Sequence, residues 1–322
     1  MTEPRAAGKL GRRPYDPTKP AVHLDVHLRG TVPPNPAVAD WLSKVVAWPI
    51  YGNDQYGDCV WAMIGHMIEA WTQYAGTGAV EVTTEQLLAA YSAVTGFNPA
   101  DPNTDQGTNI QDALNYWRTT GVAGHKIVVF AKVDHTSPTE VEAAINLFGS
   151  LAVGVNLPAS AQTQFNAGQE WTVVDGSPIE GGHAIHAGAY DTAAKDARIT
   201  TWGAVQTLDD PWWTSYVEEA WVVVTPEWVA ATGQSPSGLD LTGLGEDFAS
   251  LTGEPNPFQP APGPVPGPSP IPVPVPPVGD PDDALALVAV PWVAEHHWGH
   301  THRMAEALSA WLSAKQLGEQ GL

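Results

Sequence analysis

The sequence predicts an α+β fold, because amphipathic helical segments come first and β-rich runs separated by Gly, Asp and Pro follow. The folded texture extends from about Pro49 to Thr232, so a domain is expected over residues 46–235. Cys59 opens the first helix, with Val60, Met63, Ile64, Met67 and Trp71 recurring at helical spacing until near Gly76. Thr83, with Gln86 three residues on, caps a second helix through Thr95, and Gly96 closes it. Asn109 starts a third, which carries Ile110, Ala113, Leu114 and Trp117 on one face and stops at Gly121. Ser137-Pro138-Thr139-Glu140 reads as a capping box with Pro at the first helical position, opening a fourth helix through Phe148. The period then changes. Leu151–Leu157, Trp171–Val174, His183–Tyr190, Ala197–Trp202 and Ala220–Thr225 read as strands.

Composition sets the outer bounds. The 322 residues carry 14 Lys+Arg against 35 Asp+Glu, a formal charge of -21, which argues against a protein built to grip nucleic-acid phosphates. One cysteine can form neither an internal disulfide nor a thiolate zinc cluster. The longest apolar candidate, Ala284–Val293, is about half a membrane span and contains Pro291, so no membrane span is expected. No apolar signal core is seen near Met1, so the expectation is a protein without a signal peptide, cytoplasmic in the producing cell or incorporated into a phage virion.

Charge and proline divide the rest. Five of the 14 basic residues (Arg5, Lys9, Arg12, Arg13, Lys19) fall in the first 19 positions, with Pro4, Pro14, Pro17 and Pro20 interspersed. Residues 1–45 therefore read as an extended basic arm, either solvated or docked on an acidic surface such as a second copy. Between Arg198 and Arg303 there are 13 acidic residues and no Lys or Arg. From Pro260 to Pro276 every even position is proline, inside an expected linker over 236–281. At about 3.1 Å per residue those 17 positions reach on the order of 50 Å. Residues 282–322 then read as a short amphipathic tail with Met304, Leu308, Trp311 and Leu312 on one stripe, which needs a docking surface.

The residues able to do chemistry gather around the lone thiol. Cys59 sits where a Gly-containing turn enters a long helix, whose N-terminus favours a thiolate. Asn53 and Gln55 lie just upstream, where either carboxamide can join the Cys59 N–H in holding an oxyanion. The candidate base lies in Gly181-Gly-His183-Ala-Ile-His186. Alternation puts the two imidazoles on opposite faces of a strand, and the glycines before His183 favour it as the cleft-facing one. His66 is seven helical residues from Cys59, roughly 10 Å, and cannot pair with it. Two histidine groups, His23-x-Asp25-x-His27 on one expected strand face and Glu295–His302, lack a recognisable ligand pattern, so neither metal nor cofactor is expected.

Gly57-Asp-Cys59-Val-Trp-Ala at a helix start, Gly-Gly-His183-Ala-Ile on a strand ending Ala-Tyr-Asp191, and Thr200-Thr-Trp-Gly203 arrive in an order that resembles the papain-like cysteine peptidase superfamily. The nearest flavour is the bacteriocin-processing, double-glycine peptidase-like branch, with similarity also to uncharacterised actinobacterial phage proteins. The resemblance covers roughly Pro49 to Thr225. It implies a Cys-bearing helix packed on a C-terminal antiparallel sheet, a Cys59–His183 dyad, and Asn53 or Gln55 in the oxyanion position. It also implies Thr200 in the place of the residue that orients the imidazole, with Trp202 as a shield over the site. A hydroxyl there offers no carboxylate to an imidazolium. The expected function is hydrolysis of a peptide or amide bond. The alternative is a weak or inactive scaffold, an adaptor docking a protein partner or a second copy through its arm and tail.

Overall fold

A computed structural model describes residues 5–28, 34–75, 78, 80, 82–225 and 241–258. The X-Pro repeat, the tail at 282–322 and the histidine-rich run at 295–302 lie outside these residues.

Seven helices and an antiparallel sheet form the described fold. The helix α1 (Cys59–Tyr74) is buried from Cys59 through Thr72, because α2 (Thr84–Thr95) and α3 (Ile110–Thr119) cover it on one side and the sheet on the other. Trp71 of α1 stacks on Trp117 of α3 at 5.5 Å between ring centroids, a geometry worth about 1 kcal/mol beyond its buried area. The Thr83–Gln86 capping box forms in full and Gly96 closes α2 at φ 77°. The box expected at Ser137 forms only in half. Ser137 accepts from the Glu140 N–H, but the Glu140 carboxylate turns back to accept from the Asp134 N–H at 3.0 Å, tying α4 (Pro138–Phe148) to the strand before it.

The sheet contains β1 (Val38–Asp40), β2 (Val129–Val133), β3 (Leu151–Pro158), β4 (Ile179–Asp191), β5 (Asp196–Thr201), β6 (Ala204–Asp209) and β7 (Val217–Val224). Their order is β2-β7-β3-β4-β5-β6, with β1 added against the last three residues of β4. The central β4 pairs with β3 so that Val155 faces His183 and Ala152 faces His186. Short helices α5 (Ala159–Asn166) and α6 (Asp210–Tyr216) fill turns between strands.

Several expectations need correction. Trp171–Val174 is not a strand: Trp171 makes a single bridge to Leu208, the Gln164 side chain takes the Thr172 N–H, and Val173 and Val174 are exposed. His23, Asp25 and His27 do not share a strand face, because Asp25–His27 is a 3-10 turn and His27 pairs with Asp247 instead. Within the stretch expected as linker stands α7 (Leu241–Thr252), whose Leu244 and Phe248 are buried on one helical face, with Phe248 against Phe130. Residues 38–40 join the sheet, so the end of the segment read as an extended arm over 1–45 is a strand of the fold.

Candidate active site

Cys59 is the first residue of α1, and Asp58 at the cap makes no side-chain capping bond. The thiol is fully enclosed beside the backbone N–H groups of Ala184, next to His183, and of Gly11, both of which favour its charged form. Burial pushes its pKa up to about 12, and the neighbouring Asp58 carboxyl adds to the rise. The thiolate expected from the helix terminus is therefore not the resting form. Desolvation outweighs the helix dipole where no water reaches the sulfur.

His183 is equally buried, and burial, followed by the charge of Arg12, lowers its pKa to about 3. Its Nε2 meets Thr201 Oγ1 at 2.7 Å, while Nδ1 has no hydrogen-bond partner among the described residues. With Thr201 accepting, the ring carries its proton on Nε2 and keeps a lone pair on Nδ1. Thr200 does not do this. Consecutive strand residues face opposite sides, so Thr200 Oγ1 meets His186 Nδ1 at 3.0 Å, and Ser150 takes the other nitrogen of that ring. The hydroxyl beside His183 is one residue beyond the position implied by the resemblance.

Trp202 stacks on His183 with centroids 4.6 Å apart and planes 30° apart. It forms the β5–β6 turn with Gly203, at φ 46° and 75°. Glycine tolerates that region freely and tryptophan does not, so packing on His183 and Phe165 holds Trp202 in a strained backbone. Asn53 is buried, and its Nδ2 donates to the carbonyls of Tyr56 and Lys9 at 3.0 and 3.1 Å. Gln55 is exposed. Of the two carboxamides, the one that reaches a peptide carbonyl is Asn53.

The largest surprise is the arm. Rather than standing in solvent, residues 5–20 cross the site and bind their own domain. Arg5 bonds Gln206 and lies over Phe165. The Lys9 N–H donates to the Asn53 carbonyl at 2.6 Å, and the Arg12 N–H to the Gly182 carbonyl at 3.1 Å. Thr108 N–H donates to the Gly11 carbonyl at 2.8 Å, and Arg13 N–H to the Thr108 carbonyl at 2.9 Å. Gly8 and Gly11 are required here: a Cβ on Gly8 would lie 2.7 Å from Trp202, and one on Gly11 would overlap the Gly57 carbonyl. Charge count exposed the arm in the sequence, but its path depends on long-range pairings, as far apart as the 201 positions between Arg5 and Gln206. The Asp105–Thr108 loop was also missed. Asp105 accepts the Gly57 N–H and the Tyr91 hydroxyl, Trp61 bonds Thr108, and so the loop is fixed to the start of α1.

No protein-family profile matches the chain, and no curated protein matches it in sequence. Among solved structures, its fold matches xylellain, a cysteine protease from Xylella fastidiosa. The identity is 13% and the TM-score 0.52, over 70% of this chain and 99% of that one. The chain has a papain-like fold. The proform of the ragweed pollen cysteine protease Amb a 11 gives a TM-score of 0.47 at 14% identity, over 61% of this chain and 68% of that one. The Carica candamarcensis cysteine protease CMS1MS2, in complex with E-64, gives 0.43 at 13%, over 59% and 99%. Among the described residues no helix is long and apolar enough to cross a membrane.

The buried histidines carry a pH prediction. His66, His183 and His186 have pKa values lowered to about 4, 3 and 3, in each case first by burial. Unfolded histidine binds its proton near pH 6.5, so in the window from about 6.5 down to 4 the unfolded chain holds more protons. Stability is therefore full above that window and falls on acidification, by up to about 1.4 kcal/mol per histidine per pH unit. Asp58, raised by burial, acts in the opposite sense. Urea midpoints at pH 7, 6 and 5 should decrease in order, and Asp58→Asn should steepen the decline.

Proposed function

We propose that the chain is a papain-like cysteine hydrolase acting on peptides, with Cys59 as nucleophile and His183 as acid and base. The observation that carries this reading is the arm itself. A polypeptide lies in main-chain register between the Cys59 helix and the His183 strand, bonded to Asn53, Thr108 and Gly182. A cleft that pairs with backbone on both walls suits a peptide rather than an isolated small amide.

In the reaction, Cys59 Sγ gives its proton to His183 Nδ1 and attacks the scissile carbonyl. The developing oxyanion is held by Asn53 Nδ2 and the Cys59 N–H. His183 then protonates the leaving amine, and water, deprotonated by the same ring, releases the acid from the thioester. Thr201 holds Nε2 through the cycle, and Trp202 covers the ring. The arm is not itself poised for this attack. The thiol lies beside the Gly11 N–H while Asn53 holds the Lys9 carbonyl, so the two groups face different peptide units.

A second reading, a catalytically silent scaffold, draws on Thr201: neither a carboxylate nor a carboxamide bonds the His183 ring among the described residues. In that reading docking through the tail and incorporation into a phage particle belong to the same proposal, and the bacteriocin-processing branch belongs to the first. Fluorogenic peptide hydrolysis separates the two. With the arm displaced by Gly11→Ala, cleavage is expected, abolished by Cys59→Ala and reduced about 100- to 1000-fold by Asn53→Ala. Equal, background rates in the Gly11→Ala chain and its Cys59→Ala derivative would leave the scaffold.

A further inference from the structure

Arg12 does more than anchor the arm. Its side chain is fully buried, as is that of Glu219, and Nη1 donates to Glu219 Oε1 at 2.9 Å. Nη2 donates to Glu218 Oε2 at 2.5 Å, Asn156 Oδ1 at 3.0 Å and the Val155 carbonyl at 3.2 Å. The slot is built from the chain's own strands. Glu218 and Glu219 come from β7, and Val155 and Asn156 from β3. Trp221 Nε1 donates to Glu219 Oε2 at 2.7 Å, which fixes that carboxylate in place.

Two glycines open the slot. A Cβ on Gly154 would lie 2.7 Å from Arg12 Cδ, and one on Gly182 would overlap the Arg12 carbonyl. Glycine inside a strand weakens it, and such a position marks a close approach by another chain segment. The slot adjoins the reactive groups: Gly182 precedes His183, Gly11, next to Arg12, has its N–H beside the thiol, and Val155 is the register partner of His183.

We infer that this slot, bounded by Gly154, Gly182, Asn156, Glu218 and Glu219, is a recognition pocket for a guanidinium side chain of peptide ligands, which Arg12 fills in the resting chain. The role in substrate choice rests on the peptidase reading above; the binding itself does not. Two carboxylates, a carboxamide oxygen and a carbonyl converge on one planar cation, the geometry that arginine meets and lysine or an uncharged side chain does not. When the arm leaves, Glu219 is left in a pocket with Glu218 as its nearest charge, and an incoming guanidinium satisfies both. Peptides carrying arginine are thus both the preferred ligands and the competitors that displace the arm.

The test uses the full chain carrying Arg12→Ala. N-acetyl-arginine amide should raise its melting temperature at concentrations about 10- to 100-fold lower than N-acetyl-citrulline amide, which is isosteric but uncharged. Glu219→Gln in the same chain should narrow that ratio. Equal effects of the two amides, or none from either, overturn the pocket. If Arg12→Ala does not fold, Arg12→Met keeps the aliphatic stem and takes the same ligands. If neither folds, recovery on refolding with the arginine amide but not the citrulline amide supports the pocket, and recovery with neither overturns it. Hydrolysis of peptides that differ only in arginine or citrulline is read separately. Cleavage of both at equal rates, with no arginine-specific thermal shift, sinks the pocket and leaves the peptidase. Cleavage of neither, with the arginine-specific thermal shift intact, sinks the peptidase and leaves the pocket.

Discussion

Gly11→Ala is expected to speed alkylation of Cys59 at pH 7 by about fifty-fold or more. The added Cβ overlaps the carbonyl of Gly57, whose N–H is tied to Asp105 just before α1, so the arm must yield. Water then reaches the sulfur, and the pKa falls from about 12 toward the ordinary thiol value near 8.5. The thiolate fraction rises by about 3.5 orders of magnitude, and the lower intrinsic nucleophilicity of a less basic thiolate offsets about half of that on a logarithmic scale. Released from its present setting, the thiol also gains the steric access an alkylating agent needs. Iodoacetamide rates followed by mass spectrometry, with far-UV circular dichroism to show that the fold persists, check the result. Wild type reacting as fast as Gly11→Ala at neutral pH would show that the arm does not cover the thiol.

Arg12→Ala is expected to cost about 3–5 kcal/mol, the usual consequence of removing one partner of a fully buried ion pair. Most of this is the penalty of leaving the Glu219 carboxylate enclosed without its cation. Adding Glu219→Gln should therefore recover about 1–2 kcal/mol, because a neutral amide oxygen can still accept from Trp221 while leaving no buried charge. Urea unfolding of the three chains measures both numbers. A single-variant loss under about 1 kcal/mol would place the arm on its main-chain bonds alone.

Local signals in the sequence accounted for the helices. Thr83 with Gln86, Asn109, and the apolar spacing of α1 are patterns within a few residues, and the chemistry of a cap is the same in a peptide as in a domain. The helix start bearing Cys59 and the strand bearing His183 were legible for the same reason. What escaped was set at long range. The partner of His183 depended on the face to which Thr200 and Thr201 point, and that was visible only once β4 and β5 were in register. Val173 and Val174 looked like strand residues, but among the described residues neither belongs to a strand and both are exposed. Arg12 and Glu219 are 207 positions apart, and no periodicity links them. The basic arm was recognisable as basic, but the acidic surface it sought was inside its own domain.

Under the peptidase reading proposed above, the covering segment and the cleft belong to one chain, which sets how such an enzyme would be opened. An inhibitor bound from solution is lost on dilution, whereas a tethered one stays at an effective local concentration in the millimolar range for short flexible connections. Assays at nanomolar protein will find the same closed fraction as assays at micromolar protein. Only cutting the tether, pulling it, or outcompeting it with ligand at comparable local abundance changes that fraction, so in that reading a trigger acts on residues 5–20 rather than on the thiol.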